Sequence, residues 1–486
     1  MSPTQIIKSP ELSPALVPLT VCGVSASLAL EKAGEMKSNE TVFVSAAAGA
    51  TGQFAVQLAK LAGNHVIGAC SSDEKVEYLK SLGVDRPINY KKEDLNAVLK
   101  KEYPNGIDLA FEGVGGDMFK AVLDNIAIFG RIIVFGNCSH YHGDAGNDPQ
   151  YGYQQNRKMQ LSSASLRGFQ RRHHPKDEPE HLHRLLKLVQ EGKLKAGIDP
   201  TIFRGFESIP KALDRLKLIV YLTVDAVGVV ESVGEGVTDV WVGETVAYQR
   251  ECGICNDALS MQCTYLWLSC FGTDLGAFTE YTEVPAAKIV KTPELSPAVI
   301  PLTVCGVSAS LALEKAGEMK SNETVFVSAA AGATGQFVVQ LAKLAGNHKE
   351  NLSEVLKKEY PDGINLAFES VGGELFKAVL DNIAIFGRII VFGNVSHYHG
   401  DAGTDPQYGY QQNRKMQLRS ASLRGFLLFH HAQHVPEHLQ RLLGLIKDGK
   451  LKAGIDPTEF RGLESIPDAI DRLYAQQNIG KMVIRL

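Results

Sequence analysis

The chain contains one long segment twice, and this duplication limits the folds open to it. Residues 10–65 recur at 293–348 with only three substitutions. Farther on, residues from 92 match residues from 349, so the second copy lacks a counterpart of residues 66–91. A repeat of this length is far too long for a solenoid. The sequence therefore indicates a duplicated domain, one copy of which has lost an internal part.

Length, charge and cysteine usage exclude several classes of protein. The chain has 486 residues and a formal net charge of −4, with no basic stripe for nucleic acid. We find no apolar run near the ~20 residues of a membrane span and no signal-peptide pattern at the start. Four cysteines stand singly in the repeats, as reduced intracellular thiols do. We expect a cytoplasmic protein, with the peroxisome and mitochondrion as alternatives.

A glycine-rich turn in the first copy predicts a dinucleotide site. Residues 41–45 form a β-branched and aromatic run, and residues 53–62 have helical apolar spacing. The turn between them reads Ala47-x-Gly49-x-x-Gly52, with alanine in the first of three usual glycine positions. Gly49 would let the backbone approach a pyrophosphate, and Gly52 would let the helix pack close to the strand. The helix N-terminus would then offer N–H groups to the phosphates.

The residues after this turn strengthen the prediction. Further strands are predicted at 65–70, 86–90, 107–112 and 131–136, with a helix at 74–82 after the first of them. Strands and helices that alternate at these lengths imply an α/β fold with a doubly wound parallel (Rossmann) sheet. The duplication implies that this sheet occurs twice.

The end of the second predicted strand favours NADPH over NADH. An NAD site usually places a carboxylate here to bind the ribose 2′-hydroxyl. This chain has Ser71 and Ser72 instead, with Lys75 close behind. Hydroxyl donors and an ammonium group suit a 2′-phosphate. Asp73 leaves an alternative open, because a small shift in register would bring it to the ribose.

Several motifs carry a family resemblance. The segments AAAGATGQ at 46–53, CSSDEK at 70–75, RPINY at 86–90 and FEGVGG at 111–116 resemble the medium-chain dehydrogenase/reductase superfamily, in its zinc-free quinone oxidoreductase branch. Within that branch they look like the 15-oxoprostaglandin 13-reductases. The resemblance implies an NADPH-dependent enzyme that transfers hydride to the β-carbon of an α,β-unsaturated ketone. Its substrate would be a small enone, a lipid-derived enone or a quinone, and a homodimer or intrachain pairing of the copies is implied.

The resemblance also implies the site residues. Tyr141, after the fifth strand, would be the catalytic hydroxyl that stabilises the enolate oxygen. The pyrophosphate would lie on the glycine-rich turn, the adenosine 2′-phosphate beside the second and third strands, and the ribose and nicotinamide beside the fourth and fifth strands and a C-terminal segment. In that order the implied contacts are Gly49, Ala50, Thr51 and Gly52, then Ser71, Ser72, Lys75 and Tyr90, then Gly113, Val114, Phe135, Gly136 and Asn478.

Two segments invite a metal-site interpretation. The cluster Cys252, Cys255, Cys263 and Cys270 opens with a C-x-x-C pair, which fits a structural zinc, but its later spacing does not match the family's zinc lobe. An irregular inserted loop at 250–275 is the alternative. We interpret the histidine-rich stretch 171–183 as a solvated loop before a helix at 182–192. A catalytic zinc is not expected, since one cysteine cannot supply three ligands.

The predicted organisation has four parts. Residues 1–217 form a complete nucleotide domain, 218–291 a partial GroES-like β-barrel, 292–473 a nucleotide domain without the adenosine pocket, and 474–486 a terminal strand. Three interpretations remain open: a reductase with one cofactor site, an NADPH-binding protein without turnover, and two adjacent genes joined in one gene model. The duplication, with its missing segment in the second copy, predicts one cofactor site in the chain and not two.

Overall fold

The computed structural model divides the chain into two compact units. The first contains residues 1–148, 166–261 and 410–420, and the second contains residues 149–165, 262–409 and 421–486. The structure describes residues 7–9, 18–136, 151–197, 224–229, 245–250, 301–347, 360–393, 408–461, 463–465, 467–469, 472, 477–482 and 484–485.

The first unit contains the predicted parallel sheet. Its strands lie in the order β7-β6-β5-β2-β3-β4, and β2 pairs in parallel with both β3 and β5. The strands are β2 (Thr41–Val44), β3 (His65–Cys70), β4 (Arg86–Asn89), β5 (Ile107–Glu112), β6 (Ile126–Val134) and β7 (Ser165–Gly168). The order reverses at β2, which creates the crevice where doubly wound folds bind their ligands.

Helices cover this sheet. The apolar residues of the segment from Leu19 to Ala33 are buried with those of the helix after β2 in one core cluster. That segment joins two π-helical turns, Leu19–Gly23 and Ala29–Ala33, through α1 (Val24–Leu28). The other helices of the first copy are α2 (Gly52–Leu61), α3 (Asp73–Ser81), α4 (Leu95–Glu102), α5 (Gly116–Asp124), α6 (Tyr151–Ser162) and α7 (Glu178–Gln190), with a 3-10 turn at Arg171–His173.

The strands predicted from sequence are confirmed; β2 and β4 each end one residue earlier than predicted, and β6 differs more. Strand β6 begins at Ile126, five residues before the predicted start at 131. Its pairing with β5 passes through an irregularity, in which Ile107 faces Ile126 but Leu109 faces Arg131. Phe129 lies between these pairs with φ 61°. The apolar run that marks the buried half of β6 therefore starts only after this bulge.

A small antiparallel sheet is also part of the first unit. It has the order β1-β9-β8, from β1 (Ile7–Ser9), β8 (Val224–Val229) and β9 (Thr245–Arg250). Strand β9 pairs with both neighbours. The sequence assigns residues 7–9 to the nucleotide domain, whereas they pair with a strand of the predicted barrel segment.

The second unit contains a shorter parallel sheet. Its strands have the order β10-β11-β12-β13, and β10 is the counterpart of β2. Within the part that the structure describes, no strand of this unit lies beyond β10, as predicted from the lack of a counterpart of residues 66–91. The strands are β10 (Val325–Val327), β11 (Ile364–Glu369), β12 (Ile383–Val391) and β13 (Ser422–Gly425), and β14 (Phe460–Arg461) pairs separately with β15 (Ile484–Arg485).

Helices of the second copy repeat those of the first. They are α8 (Val307–Leu311) between π-helical turns at Leu302–Gly306 and Ala312–Ala316, then α9 (Gly335–Leu344), α10 (Gly373–Asp381), α11 (Tyr408–Arg419) and α12 (Val435–Lys447), with 3-10 turns at Leu428–His434 and Leu463–Ser465. Two helices belong to the unit formed mainly by the other copy. Most of α11 belongs to the first unit, and α6 belongs to the second.

Candidate functional site

The turn after β2 forms a close-packed backbone cradle. Ala46 has φ 44°, and its carbonyl oxygen accepts a hydrogen bond from Gly49 N at 2.8 Å. A Cβ on Gly52 would lie 2.4 Å from that carbonyl oxygen and 2.8 Å from Ala47 Cα. Glycine is therefore required at position 52 for α2 to begin so close to β2. The turn directs the N-terminus of a ten-residue helix toward the edge where the strands end.

Ser71, Ser72 and Lys75 come together at the end of β3. The Ser72 hydroxyl caps α3 by accepting a hydrogen bond from Lys75 N at 3.4 Å. The Lys75 ammonium donates to Ser71 Oγ, also at 3.4 Å, and its side chain is exposed. Tyr90 N donates to Cys70 O at 3.1 Å, which brings Tyr90 beside these residues. The arrangement gathers hydroxyl groups and one cation at the predicted adenosine end.

Asp73, the alternative ribose ligand, has other partners. Its carboxylate accepts a hydrogen bond from Asn89 Nδ2 at 2.8 Å and forms an ion pair with Lys92. The hydrogen bond from Lys92, and after it that from Asn89, lowers the pKa of this carboxyl. Asp73 is therefore ionised and neutralised by Lys92. This local charge balance supports the prediction of NADPH and not that of NADH.

The loop after β5 is held by a buried carboxyl group that sequence reasoning missed. Glu112 is buried and accepts hydrogen bonds from Val114 N at 2.8 Å and from Gly115 N at 3.0 Å. Burial raises the pKa of Glu112 to about 7. Ser45 Oγ accepts a further bond from Gly113 N at 2.8 Å. The signal for this role was a glutamate at the end of an apolar strand, directly before the glycine-rich run Gly113-Val114-Gly115-Gly116.

The ends of β5 and β6 adjoin each other. Phe135 N donates to Glu112 O at 2.8 Å. A Cβ on Gly136 would lie 2.9 Å from Gly113 O, so both turns need this glycine to approach each other. The structure thus brings Gly113, Val114, Phe135 and Gly136 to one edge of the sheet. Gly49–Gly52 follow β2 at the same edge, and Ser71, Ser72 and Lys75 follow β3 there.

Asn478, the predicted contact from the C-terminal segment, is not in the unit that holds these residues. It belongs to the second unit, where its Nδ2 donates to Gly480 O at 3.0 Å. Gly480 N in turn donates to Ala331 O at 2.8 Å, and Gly480 forms a bridge with Gly332. The terminal segment therefore lies on the glycine-rich turn of its own copy.

Other predicted residues fall outside the described part. Tyr141 and the cluster Cys252, Cys255, Cys263 and Cys270 lie beyond the described residues. Among the residues that the structure does describe, no group of three His, Cys, Asp or Glu side chains could hold a metal ion. No helix in those ranges is long and apolar enough to cross a membrane.

The interpretation of residues 171–183 as a solvated loop is wrong for residues 178–183, whereas residues 171–177 precede the helix and none of them is buried. Helix α7 begins within it at Glu178, and Arg171 forms an ion pair with Glu178 at 2.6 Å. His181 is buried, with its Nδ1 2.8 Å from Ser27 Oγ. Pro179 occupies the first helical turn, where proline is tolerated, and therefore does not break the helix.

Three family models match successive parts of the chain. Residues 50–188 match the zinc-binding dehydrogenase model, 196–294 the alcohol dehydrogenase GroES-like domain, and 340–484 a second zinc-binding dehydrogenase model. The chain belongs to the medium-chain dehydrogenase/reductase superfamily. This superfamily membership agrees with the parallel sheet of each unit and with the antiparallel strands β8 and β9 between them in sequence.

Known members of the superfamily resemble this chain over part of its length. Mouse prostaglandin reductase-3 is 44% identical over 214 residues, which are 43% of this chain and 57% of that protein. The NADP(+)-dependent 2-alkenal reductase of Nicotiana tabacum is 38% identical over 193 residues, covering 39% of this chain and 54% of that protein. The chain thus spans a little over half the length of these curated relatives.

Among solved structures, CurA of Vibrio vulnificus in complex with NADPH matches with 29% identity and a TM-score of 0.39, over 41% of this chain and 59% of that one.

Proposed function

We propose that this superfamily member binds one NADPH in its first unit and reduces the C=C bond of an α,β-unsaturated ketone. The observation that carries the proposal is the end of β3, where the Ser71 and Ser72 hydroxyls and the Lys75 ammonium lie together, as a site for a 2′-phosphate would require, while Lys92 pairs with Asp73. The resemblance to an NADP(+)-dependent 2-alkenal reductase supports the same cofactor and reaction type.

The residues of the first unit fit the shape of the cofactor. The turn at Gly49 and Gly52 leaves no room for side chains against Ala46, so an extended pyrophosphate would meet backbone N–H groups and the α2 N-terminus. Lys75 would place its ammonium against the 2′-phosphate. Bound NADPH would supply the hydride that is transferred to the β-carbon of the substrate.

The protein's part in the reaction is positioning and charge stabilisation. The loop from Gly113 would orient the nicotinamide ribose, since Glu112 and Ser45 fix its backbone. The carbonyl oxygen of the substrate gains negative charge as the β-carbon accepts hydride, and a hydroxyl group must stabilise it. We assign this task to Tyr141, which would later donate the proton to the α-carbon.

The cofactor assignment is tested by Lys75→Ala in the full chain. Loss of a charged hydrogen bond of about 1.5–3 kcal/mol predicts a roughly ten- to hundredfold weaker Kd for NADPH by fluorescence titration, with that for NADH unchanged. Lys80→Ala is the matched control, because Lys80 lies on the same helix but pairs with Glu77. An unchanged Kd for NADPH in Lys75→Ala would refute the assignment.

Turnover separates an enzyme from an NADPH-binding protein without activity. NADPH oxidation would be followed by absorbance with an enone, a 2-alkenal and a quinone as substrates. We expect the enone to be reduced fastest. A chain that binds NADPH but oxidises it with none of the three substrates would be a binding protein, and faster turnover of the quinone would change the substrate class.

A further inference from the structure

The first unit contains a helix that comes from the second copy. The end of α11 lies against the ends of β6 and β7, within this unit. Gln417 Nε2 donates a hydrogen bond to Phe135 O at 2.5 Å. A Cβ on Gly168 would lie 1.9 Å from Met416 O, so the helix backbone reaches the strand directly. The second copy thus supplies one wall of the first unit.

The residue after α11 fixes this placement further. Ser420 Oγ accepts a hydrogen bond from Gln170 N at 2.9 Å and lies 2.9 Å from His173 Nδ1. Both partners follow β7 in the chain. The chain is therefore held on both sides of Gln417. Met416 lies against Gly168 of β7, and Ser420 bonds to the turn after β7.

The group that receives the Gln417 hydrogen bond belongs to the candidate cofactor site. The Phe135 ring lies 4.7 Å from that of Phe111 and stacks on that of Phe169 at 5.9 Å. Strands β5 and β6 lie on one side of β2, and the serines and Lys75 lie on the other side, at β3. A dinucleotide that crosses the switch point places its two halves on opposite sides. Phe135 is therefore on the nicotinamide side.

We propose that Gln417 of the second copy is a positioning residue for the nicotinamide half of the first unit's NADPH site. This inference rests on the proposed function. By donating to Phe135 O, Gln417 would fix the backbone that leads into Gly136, which adjoins Gly113. The second copy, which lacks counterparts of Ser71 and Lys75, would thus still contribute to cofactor binding.

The chain offers a matched control in the other unit. Gln160 of the first copy donates to Phe392 O at 2.6 Å, and both residues belong to the second unit. The same type of bond therefore occurs where no adenosine pocket is predicted. Removal of Gln160 should cost the second unit an equal hydrogen bond without an effect on NADPH.

The test compares two ligands on Gln417→Ala and Gln160→Ala in the full chain. NADPH carries the nicotinamide half, whereas adenosine 2′,5′-bisphosphate lacks it. Loss of one positioning hydrogen bond predicts a roughly three- to tenfold higher Kd for NADPH in Gln417→Ala and an unchanged Kd for the bisphosphate. Gln417→Met, similar in length but without a donor, should reproduce this split, and Gln160→Ala should bind both ligands like the unaltered chain.

Three results would overturn the inference. They are an unchanged Kd for NADPH in both Gln417 variants, an equal loss for both ligands, and an equal loss in Gln160→Ala. If the unaltered chain binds neither ligand, the proposed function falls, and the positioning role falls with it. If the unaltered chain binds both ligands and the Gln417 variants do too, only the positioning role is refuted.

Discussion

Gly52→Ala should separate the two glycine-rich turns of the chain. The new Cβ would lie 2.4 Å from Ala46 O, whereas an unstrained contact is about 3.5 Å long. The start of α2 must therefore move by about 1 Å, or Ala46 must give way. Such overpacking costs about 1–3 kcal/mol of unfolding free energy. A shift of that size also takes the turn's N–H groups out of hydrogen-bond range of a phosphate.

The matched variant is Gly335→Ala, whose Cβ would lie 2.2 Å from Ala329 O. Urea unfolding followed by circular dichroism should show a similar loss of stability in both variants. NADPH fluorescence should show a roughly ten- to hundredfold weaker Kd in Gly52→Ala alone, from the loss of one charged hydrogen bond. Equal weakening in Gly335→Ala, or full affinity in Gly52→Ala, would refute the one-site reasoning.

Two further predictions concern buried charges. The native pKa of Glu112, about 7, lies above the ordinary value of 4.5, so between these pH values the folded unit holds a proton that the unfolded chain has released. The unfolding free energy of this unit should fall by about 3 kcal/mol as the pH rises through this window, and Glu112→Gln should remove that fall. Urea unfolding at several pH values measures the effect. Equal slopes of unfolding free energy against pH in the unaltered chain and in Glu112→Gln would contradict the assignment. Arg131 pairs with the Glu40 carboxylate at 2.5 Å. Arg131→Met should lower the unfolding free energy of the first unit by about 3–5 kcal/mol, because it leaves that carboxylate without a counter-ion. A loss below about 1 kcal/mol in thermal or urea unfolding would contradict this prediction.

The sequence predicted the parallel sheet well, for a physical reason. A strand buried on both faces is apolar throughout, so the run from His65 to Cys70 and that from Ile107 to Glu112 were placed with their observed bounds. Gly52 was likewise assigned its packing role, because a helix that starts directly after a strand needs a residue without Cβ.

The placement of α6 and α11 could not be predicted. The two helices have nearly the same sequence, from Tyr151 and from Tyr408. Either helix presents the same side chains to either sheet, so local propensity and apolar pattern do not distinguish the two arrangements. His181 was misjudged for a related reason, since a contact distant in sequence, with Ser27, decides where this polar side chain is buried.

The number of NADPH molecules bound by one chain tests the account most directly. Isothermal titration calorimetry of the purified full chain would measure it together with the affinity. The account predicts one NADPH per chain, because only the first copy has Ser71, Ser72 and Lys75 beside its glycine-rich turn. Two equivalent sites, or binding that persists unchanged in Lys75→Ala, would contradict it.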